Sequence, residues 1–366
     1  MTEEINGGEK NNLSFSGKIA VITGADPGIE DFHSAKQLIL KYGAEKVIHI
    51  TWPENFTIRP DRMIGTISGL AADSQIKILI FNQALPGTNA MVDKFRETRD
   101  DVFIIYCTGQ EPTLDIVKRA DLILRPNELG MGEAMVKQAK KQGAKVFIHY
   151  SFSRHMSQPV LSSRRDIIRE TCAAEGIDYE DAEVLDPMGE AGLEASRAFI
   201  LEDVPKMTAK YGEDTAFFCS NCYLQGALIR AVVDCHAIYP QPCCPSPYHG
   251  FPEALGIEAG GGMSDLSYVI SEACRIAAEK NMTDRLSTWP VSASMMFTSA
   301  GAEYAIKRIS GEVPETGIDT MVLTECMHSY IKEIVGEESN VYMTSYSENG
   351  IAYENYKILL MSYLDF

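Results

Sequence analysis

The chain has 366 residues, 45% of them hydrophobic and 23% charged, enough for two lobes each with its own core. Thirty-three lysines and arginines against 51 aspartates and glutamates leave a formal net charge of −18. Such a surface repels phosphate backbones, and no basic run exceeds two residues, so a nucleic-acid partner is excluded. The longest apolar runs, such as IKILIF (76–81) and VFIIYC (102–107), are strand-sized and exclude a direct membrane span.

In chain order, 18–23 reads as a strand, followed by a helix around Ala35, Leu38, Ile39 and Tyr42 that ends at Gly43. Strand 46–51, a helix over 61–72, strand 76–81, a helix over 89–99 and strand 102–107 follow. A shorter strand at 121–125 leads to a helix carrying Met131, Ala134, Met135 and Ala139, closed by Gly143, and then strand 145–150. The pattern restarts with a helix over 160–175, a strand at AEVLDP (182–187), a long helix over 191–210, strand 214–220 and a helix over 223–234. Residues 240–262 are loop-like, with five prolines and three consecutive glycines. Ser264 is placed to cap a helix bearing Leu266, Val269, Ile270, Ala273, Ile276 and Ala277. A short strand after Trp289, helices over 295–309 and 319–335, and β-prone segments at 340–345 and 356–363 complete the chain.

Apolar strands alternating with amphipathic helices predict an α/β protein of two doubly wound parallel-sheet lobes. The first lobe is expected over 14–148 plus about 285–313, the second over 149–284 plus about 314–366.

The opening GKIAVITGADPGIE (17–30) resembles the cofactor loop of the short-chain dehydrogenases, and NQALPG (82–87) and YSFSR (150–154) echo two further motifs of that family. That resemblance implies an NAD(P)-dependent oxidoreductase as the alternative function. Each departure falls where the chemistry is demanding. Glu30 replaces the last glycine, bringing a charge toward two phosphates, while Asp26 and Pro27 read as the N-cap and first residue of the helix. Arg154 stands where the family has lysine, and the intact Tyr-x-x-x-Lys spacings, Tyr42–Lys46 and Tyr353–Lys357, fall too early and too late. The expectation is a βα turn, no cofactor and no enzyme. The chain also lacks Gly-x-Ser-x-Gly, His-Glu-x-x-His and a phosphate-binding Gly-x-x-x-x-Gly-Lys-[Ser/Thr].

The segment AKVFIHYSFSRHMSQPVLSSRRDIIRETCAAEGIDY (144–179), set between two α/β lobes, resembles the type I periplasmic binding-protein fold. Its HYSFSRHMS and RRDIIRETC look like a bacterial branch related to the basic-membrane-protein (BMP) lipoproteins. This resemblance implies two lobes joined by three hinge crossings that close on a small polar molecule in a cleft between them. It also implies an ABC transporter membrane component as partner, or a role in sensing. An effector-binding regulator is a further alternative. A helix-turn-helix headpiece would need about 50 residues before the first strand, and 17 precede Lys18.

Open parallel sheets bind ligands beyond the carboxyl ends of their strands. Those positions are Asp26, Trp52, Asn82, Gln83, Thr108 and Gly109 in the first lobe. The first crossing gives Tyr150, Ser151, Arg154 and His155, and the second lobe adds Ser220 and Asn221, with further candidates in CCPSPYHGF (243–251). Amides, hydroxyls, an aromatic, an acid and a base suit a polar ligand with a ring or planar group.

CSNC (219–222), Cys235, His236, Cys243, Cys244 and His249 supply enough donors for zinc, but their spacing matches no ribbon or finger, and the second pair is adjacent. Nine cysteines scattered through the chain argue against a disulfide framework. Structural thiols and no metal are the expectation. The polar lead MTEEINGGEKNNLSFSG has no apolar h-region. The protein is therefore expected to be cytoplasmic, or an exported periplasmic or cell-surface lipoprotein whose signal has been trimmed.

Overall fold

A computed structural model describes residues 15–26, 30–53, 60–258 and 266–366. The chain divides into two compact units, residues 1–123 with 298–323, and residues 124–297 with 324–366.

The first unit runs β1 (Lys18–Thr23), α1 (Glu30–Tyr42), β2 (Val47–Thr51), α2 (Pro60–Gly69) with a 3-10 turn at Leu70–Ala72, β3 (Ile76–Phe81), α3 (Thr88–Arg96), β4 (Phe103–Cys107) and α4 (Thr113–Ile116). Its strands lie in the order β2-β1-β3-β4, and the pairs β1–β2, β1–β3 and β3–β4 are all parallel. Ile19, Ala20, Val21 and Ile22 of β1 and Ile78, Leu79, Ile80 and Phe81 of β3 are fully buried. A strand covered on both faces must be apolar at every position, which is why these segments read as continuous runs instead of alternating ones. Gly43 ends α1 with φ +95°, a conformation open to glycine without a Cβ clash. Pro27 lies outside the described residues.

The second unit continues from β5 (Leu122–Pro126) through α5 (Gly130–Lys141), β6 (Val146–Ser151), α6 (Ser153–Met156), α7 (Pro159–Glu175), β7 (Asp178–Glu183), α8 (Gly192–Tyr211) and β8 (Thr215–Cys219). A 3-10 turn at Cys222–Leu224 then precedes α9 (Gln225–Asp234), α10 (Phe251–Leu255), α11 (Leu266–Glu279) and β9 (Ser287–Thr288). The chain ends with α12 (Ala293–Ile309), α13 (Thr320–Val335), the antiparallel hairpin β10 (Val341–Glu348) and β11 (Ile351–Met361), and β12 (Leu364–Asp365). The hairpin adds to β5, and β12 pairs with β9. The chain passes between the units inside β5, α12 and α13.

The central sheet of the second unit has the parallel order β7-β6-β8. Alternation sorts its side chains into two cores. Ile148, Tyr150 and Phe217 face Ile200 and Val204 of α8 and Leu228 and Val232 of α9. Phe147 and Phe218 face Met135 and Val136 of α5 and Ile168 and Cys172 of α7. Burying a Phe or Leu side chain in this way contributes roughly 1.5–3 kcal/mol.

The structure differs from the sequence expectations in three places. The compact units divide at 123/124, where the first lobe is expected from the sequence to run to 148, and in the second unit α5 packs against α7 and β6 pairs with β7 and β8. The same units place the two later passages at 297/298 and 323/324. The strand expected at 182–187 is Asp178–Glu183. It lies at the sheet edge, where exposed acidic side chains are tolerated and the hydrophobic signal is weak. The short strand expected after Trp289 lies before it, at Ser287–Thr288. The proposed Ser264 cap is outside the described residues.

Candidate functional site

In the first unit, the ladder registers bring the ends of four strands to one edge. Thr23 pairs with Thr51, Ile22 with Phe81, and Phe81 with Tyr106. The next residues are therefore neighbours: Trp52 N–H donates to the Thr23 carbonyl (2.9 Å), and Asn82 N–H to that of Ile22 (2.9 Å). Asn82 is fully buried, and its amide nitrogen donates to Thr298 Oγ1 (2.8 Å) and Ser34 Oγ (3.2 Å). Gln83, half-buried, donates to the Asp31 carboxylate in the first turn of α1. Trp52 is buried and stacked on Phe81, with centroids 6.2 Å apart, so its ring floors this edge. Asp26 is exposed.

Thr108 is held at φ +48°. A β-branched residue in the left-handed region carries about 1–3 kcal/mol of strain and persists only where its surroundings over-determine it. Here the surroundings are explicit. Ala84 N–H donates to the Cys107 carbonyl (3.0 Å) and Gln110 N–H to that of Ala84 (3.0 Å), bracketing Thr108 between two backbone bonds. Thr108 stays half-exposed beside buried Gly109.

The corresponding edge of the second unit is arranged differently. Tyr150 is fully buried, stacked on Phe217, and its hydroxyl donates to Asp203 (2.7 Å), so in this structure it packs in the core of the unit. Burial, then the bond to Asp203, pushes its pKa far up. Arg154 is exposed and holds Asp186 through Nε and Nη2, both at 2.7 Å, while lying over the Phe152 ring. The hydrogen bond from Arg154 pulls the Asp186 carboxyl down to about 2. His155 packs on Phe152 with its Nδ1 3.0 Å from Ser220 Oγ. Burial and then the Arg154 charge lower its pKa. Ser151 and Asn221 are buried, and Asn221 Oδ1 accepts from Tyr223 N–H (2.9 Å) as a helix cap.

Next along the chain, Cys222 begins the turn into α9, with its Sγ 3.2 Å from that of Cys243 and 3.8 Å from that of Cys244. His249 Nε2 lies 3.7 Å from Cys243 Sγ. Cys219, the first cysteine of CSNC, is buried in β8 and belongs to the core. Sequence reasoning missed Asp31, Ser34, Thr298, Asp186 and Asp203. Only Ser34, one helical turn from Asp31, carried a local signal.

This architecture is that of the type I periplasmic binding proteins. A solved structure from Clostridium difficile 630, described as a candidate transcriptional regulator, matches with a TM-score of 0.83 and 22% identity, over 96% of this chain and 99% of that one. A sugar ABC transporter structure from Actinomyces odontolyticus ATCC 17982 matches with a TM-score of 0.53 and 7% identity, over 84% and 87%. The chain belongs to the family described as Protein of unknown function (DUF3798), whose profile matches residues 17–287. Two uncharacterized proteins of Treponema pallidum (strain Nichols) are relatives. One is 31% identical over 180 residues, 47% of this chain and 80% of its own length. The other is 32% identical over 164 residues, 45% and 76%. Among the described residues, no helix is long and apolar enough to cross a membrane.

Proposed function

We propose that this protein is a non-enzymatic receptor for a small polar molecule, serving ABC-type uptake or sensing. The observation that carries the reading is the carboxyl edge of the first unit's sheet. There a strained Thr108 is bracketed by the backbone bonds of Ala84, next in the chain to Gln83, and Trp52, stacked on Phe81, lies at the end of another strand of the same sheet. Strain held at a polar sheet edge is the mark of a surface shaped for a ligand. The names of the solved neighbours, a regulator and a sugar transporter, support the two forms of the reading. Uptake would add a membrane permease as partner and an extracytoplasmic location.

The dehydrogenase alternative is disfavoured by Tyr150, whose hydroxyl is bonded to Asp203 inside the core and whose pKa is raised, the reverse of what a catalytic tyrosine needs. A thermal-shift screen of sugars, polyols, nucleosides, amino acids and small carboxylates tests the reading. One chemical class is expected to stabilise the chain, by about 2.7 kcal/mol at a hundredfold excess over Kd. Thr108→Gly is expected to raise the free protein's stability by about 1 kcal/mol through release of strain, while the ligand-induced shift shrinks. Saturable micromolar binding of NADH or NADPH, read by energy transfer from tryptophan, would overturn the proposal.

A further inference from the structure

The corner where β8 runs into α9 carries a second kind of chemistry. Cys222 Sγ, Cys243 Sγ and a ring nitrogen of His249 all lie within 4.8 Å of one another, and Cys244 Sγ reaches to 3.8 Å from Cys222. Ligands about 2.3 Å (sulfur) and about 2.0 Å (nitrogen) from a tetrahedral zinc lie about 3.8 Å apart as sulfur pairs and about 3.5 Å apart as sulfur–nitrogen pairs. The separations of 3.2, 3.8 and 3.7 Å found here straddle those edges. None is near the roughly 2.05 Å of a disulfide.

The frame around these donors is fixed from both sides. Gln225 donates to the carbonyls of Cys219 (3.0 Å) and Asn221 (2.6 Å), and its own side-chain oxygen accepts from Tyr239. On the loop, Pro240, Pro242, Pro245 and Pro247 restrict the backbone, Tyr363 donates to Gln241, and His249 N–H donates to the Ser246 carbonyl (3.1 Å). Gly250, at φ +83°, turns the chain into α10, and a Cβ there would meet Gln225 Cβ at 2.8 Å. Glycine is what lets the His249 arm dock against the start of α9. Donors held this way lose little freedom on binding an ion.

We propose that Cys222, Cys243 and His249 form a three-residue zinc site that clamps the proline-rich loop onto the end of β8. Thiolates and imidazole select a soft divalent ion over magnesium or calcium. Cys222 and Cys244 are exposed, so the ion enters from solvent.

The test uses the full chain, purified under reducing conditions, stripped with chelator, reloaded with zinc or cobalt(II), desalted and measured by plasma mass spectrometry. One equivalent of metal is expected, and cobalt should give thiolate charge-transfer and tetrahedral d–d bands. Cys222→Ser and His249→Ala should each abolish retention, and Cys244→Ser should leave one equivalent of metal bound. Cys235→Ser and Cys274→Ser should leave both readouts unchanged. Cys222 is exposed, so its variant is expected to fold, and circular dichroism checks this. Sub-stoichiometric metal in the wild type, or equal retention by Cys222→Ser, would assign any ion to the acidic surface and overturn the site. A Cys222–Cys243 disulfide in a parallel sample purified without reductant, leaving seven of the nine cysteines titratable in denaturant, would overturn it as well.

Discussion

The two units place polar side chains at the same topological position, the carboxyl ends of parallel strands, and equip it with different atoms. In the first unit the edge carries oxygen and nitrogen groups, with Asn82 and Gln83 engaged by Ser34, Thr298 and Asp31 of the same unit and with half-exposed Thr108 and exposed Asp26, and its one cysteine, Cys107, is buried in β4. In the second, thiols and imidazoles gather at the end of β8, while Tyr150, Arg154 and Asn221 are engaged by partners from their own unit. A shared fold rule thus sets where chemistry is displayed, and the loops that follow each strand set which chemistry it is.

The largest expected effect comes from the interior of the first edge. Asn82→Leu removes the donor shared by Ser34 and Thr298 and should cost about 2–3 kcal/mol. Hydrogen exchange should show the loss in peptides of the first unit and leave those of the second protected. Equal loss in both would break the comparison by making the units one cooperative body. Tyr150→Phe tests the second edge. Losing the bond to Asp203 should cost about 1–1.5 kcal/mol with any ligand-induced shift intact, as befits a core residue. Loss of the shift at unchanged stability would return Tyr150 to the binding surface.

A pH series sharpens the contrast further. His149 is buried between Tyr179 and Phe218, and burial holds its pKa below the ordinary value against the opposing pull of Asp181. A folded value below the unfolded one means the stabilisation is whole above about pH 6.5 and is lost as pH falls toward the folded value. The loss is at most about 1.4 kcal/mol per pH unit. His149→Gln should flatten that slope in the second unit. The slope from His33 and His49 in the first, lowered by burial and then by Lys36, should remain. The smallest effect is expected from Arg154→Ala. Its pair with Asp186 is exposed and screened, so chemical denaturation should barely register the change, and less still in high salt. A ligand-induced shift that disappears in this variant would move the binding surface to the second unit.

Much of the fold was legible because it rests on local chemistry. The runs KIAVIT and IKILIF are apolar at every position, as strands covered on both faces must be. Gly43 and Gly143 end their helices where glycine alone adopts the required backbone without strain. The strand-end rule likewise gave the edge positions Asp26, Asn82, Gln83 and Thr108 from order alone. It failed where a strand is acidic and lies at a sheet edge, as at Asp178–Glu183, because exposure there removes the pattern that marks a strand. Partner choice was invisible for a different reason. Whether Tyr150 meets a ligand or Asp203, or Asn82 meets Thr298 216 residues away, depends on which helix the folded chain lays across that strand. The thiols show the same division. Their number and spacing resembled no zinc motif, and the CSNC pair proved not to act together, because Cys219 points into the core from β8 while Cys222 turns outward into the next helix. Only the return of the 240–250 loop, fixed by prolines and by the one residue small enough to pass Gln225, brings Cys243, Cys244 and His249 to that corner. Sequence determines which groups each segment can offer, and long-range packing determines which of them meet.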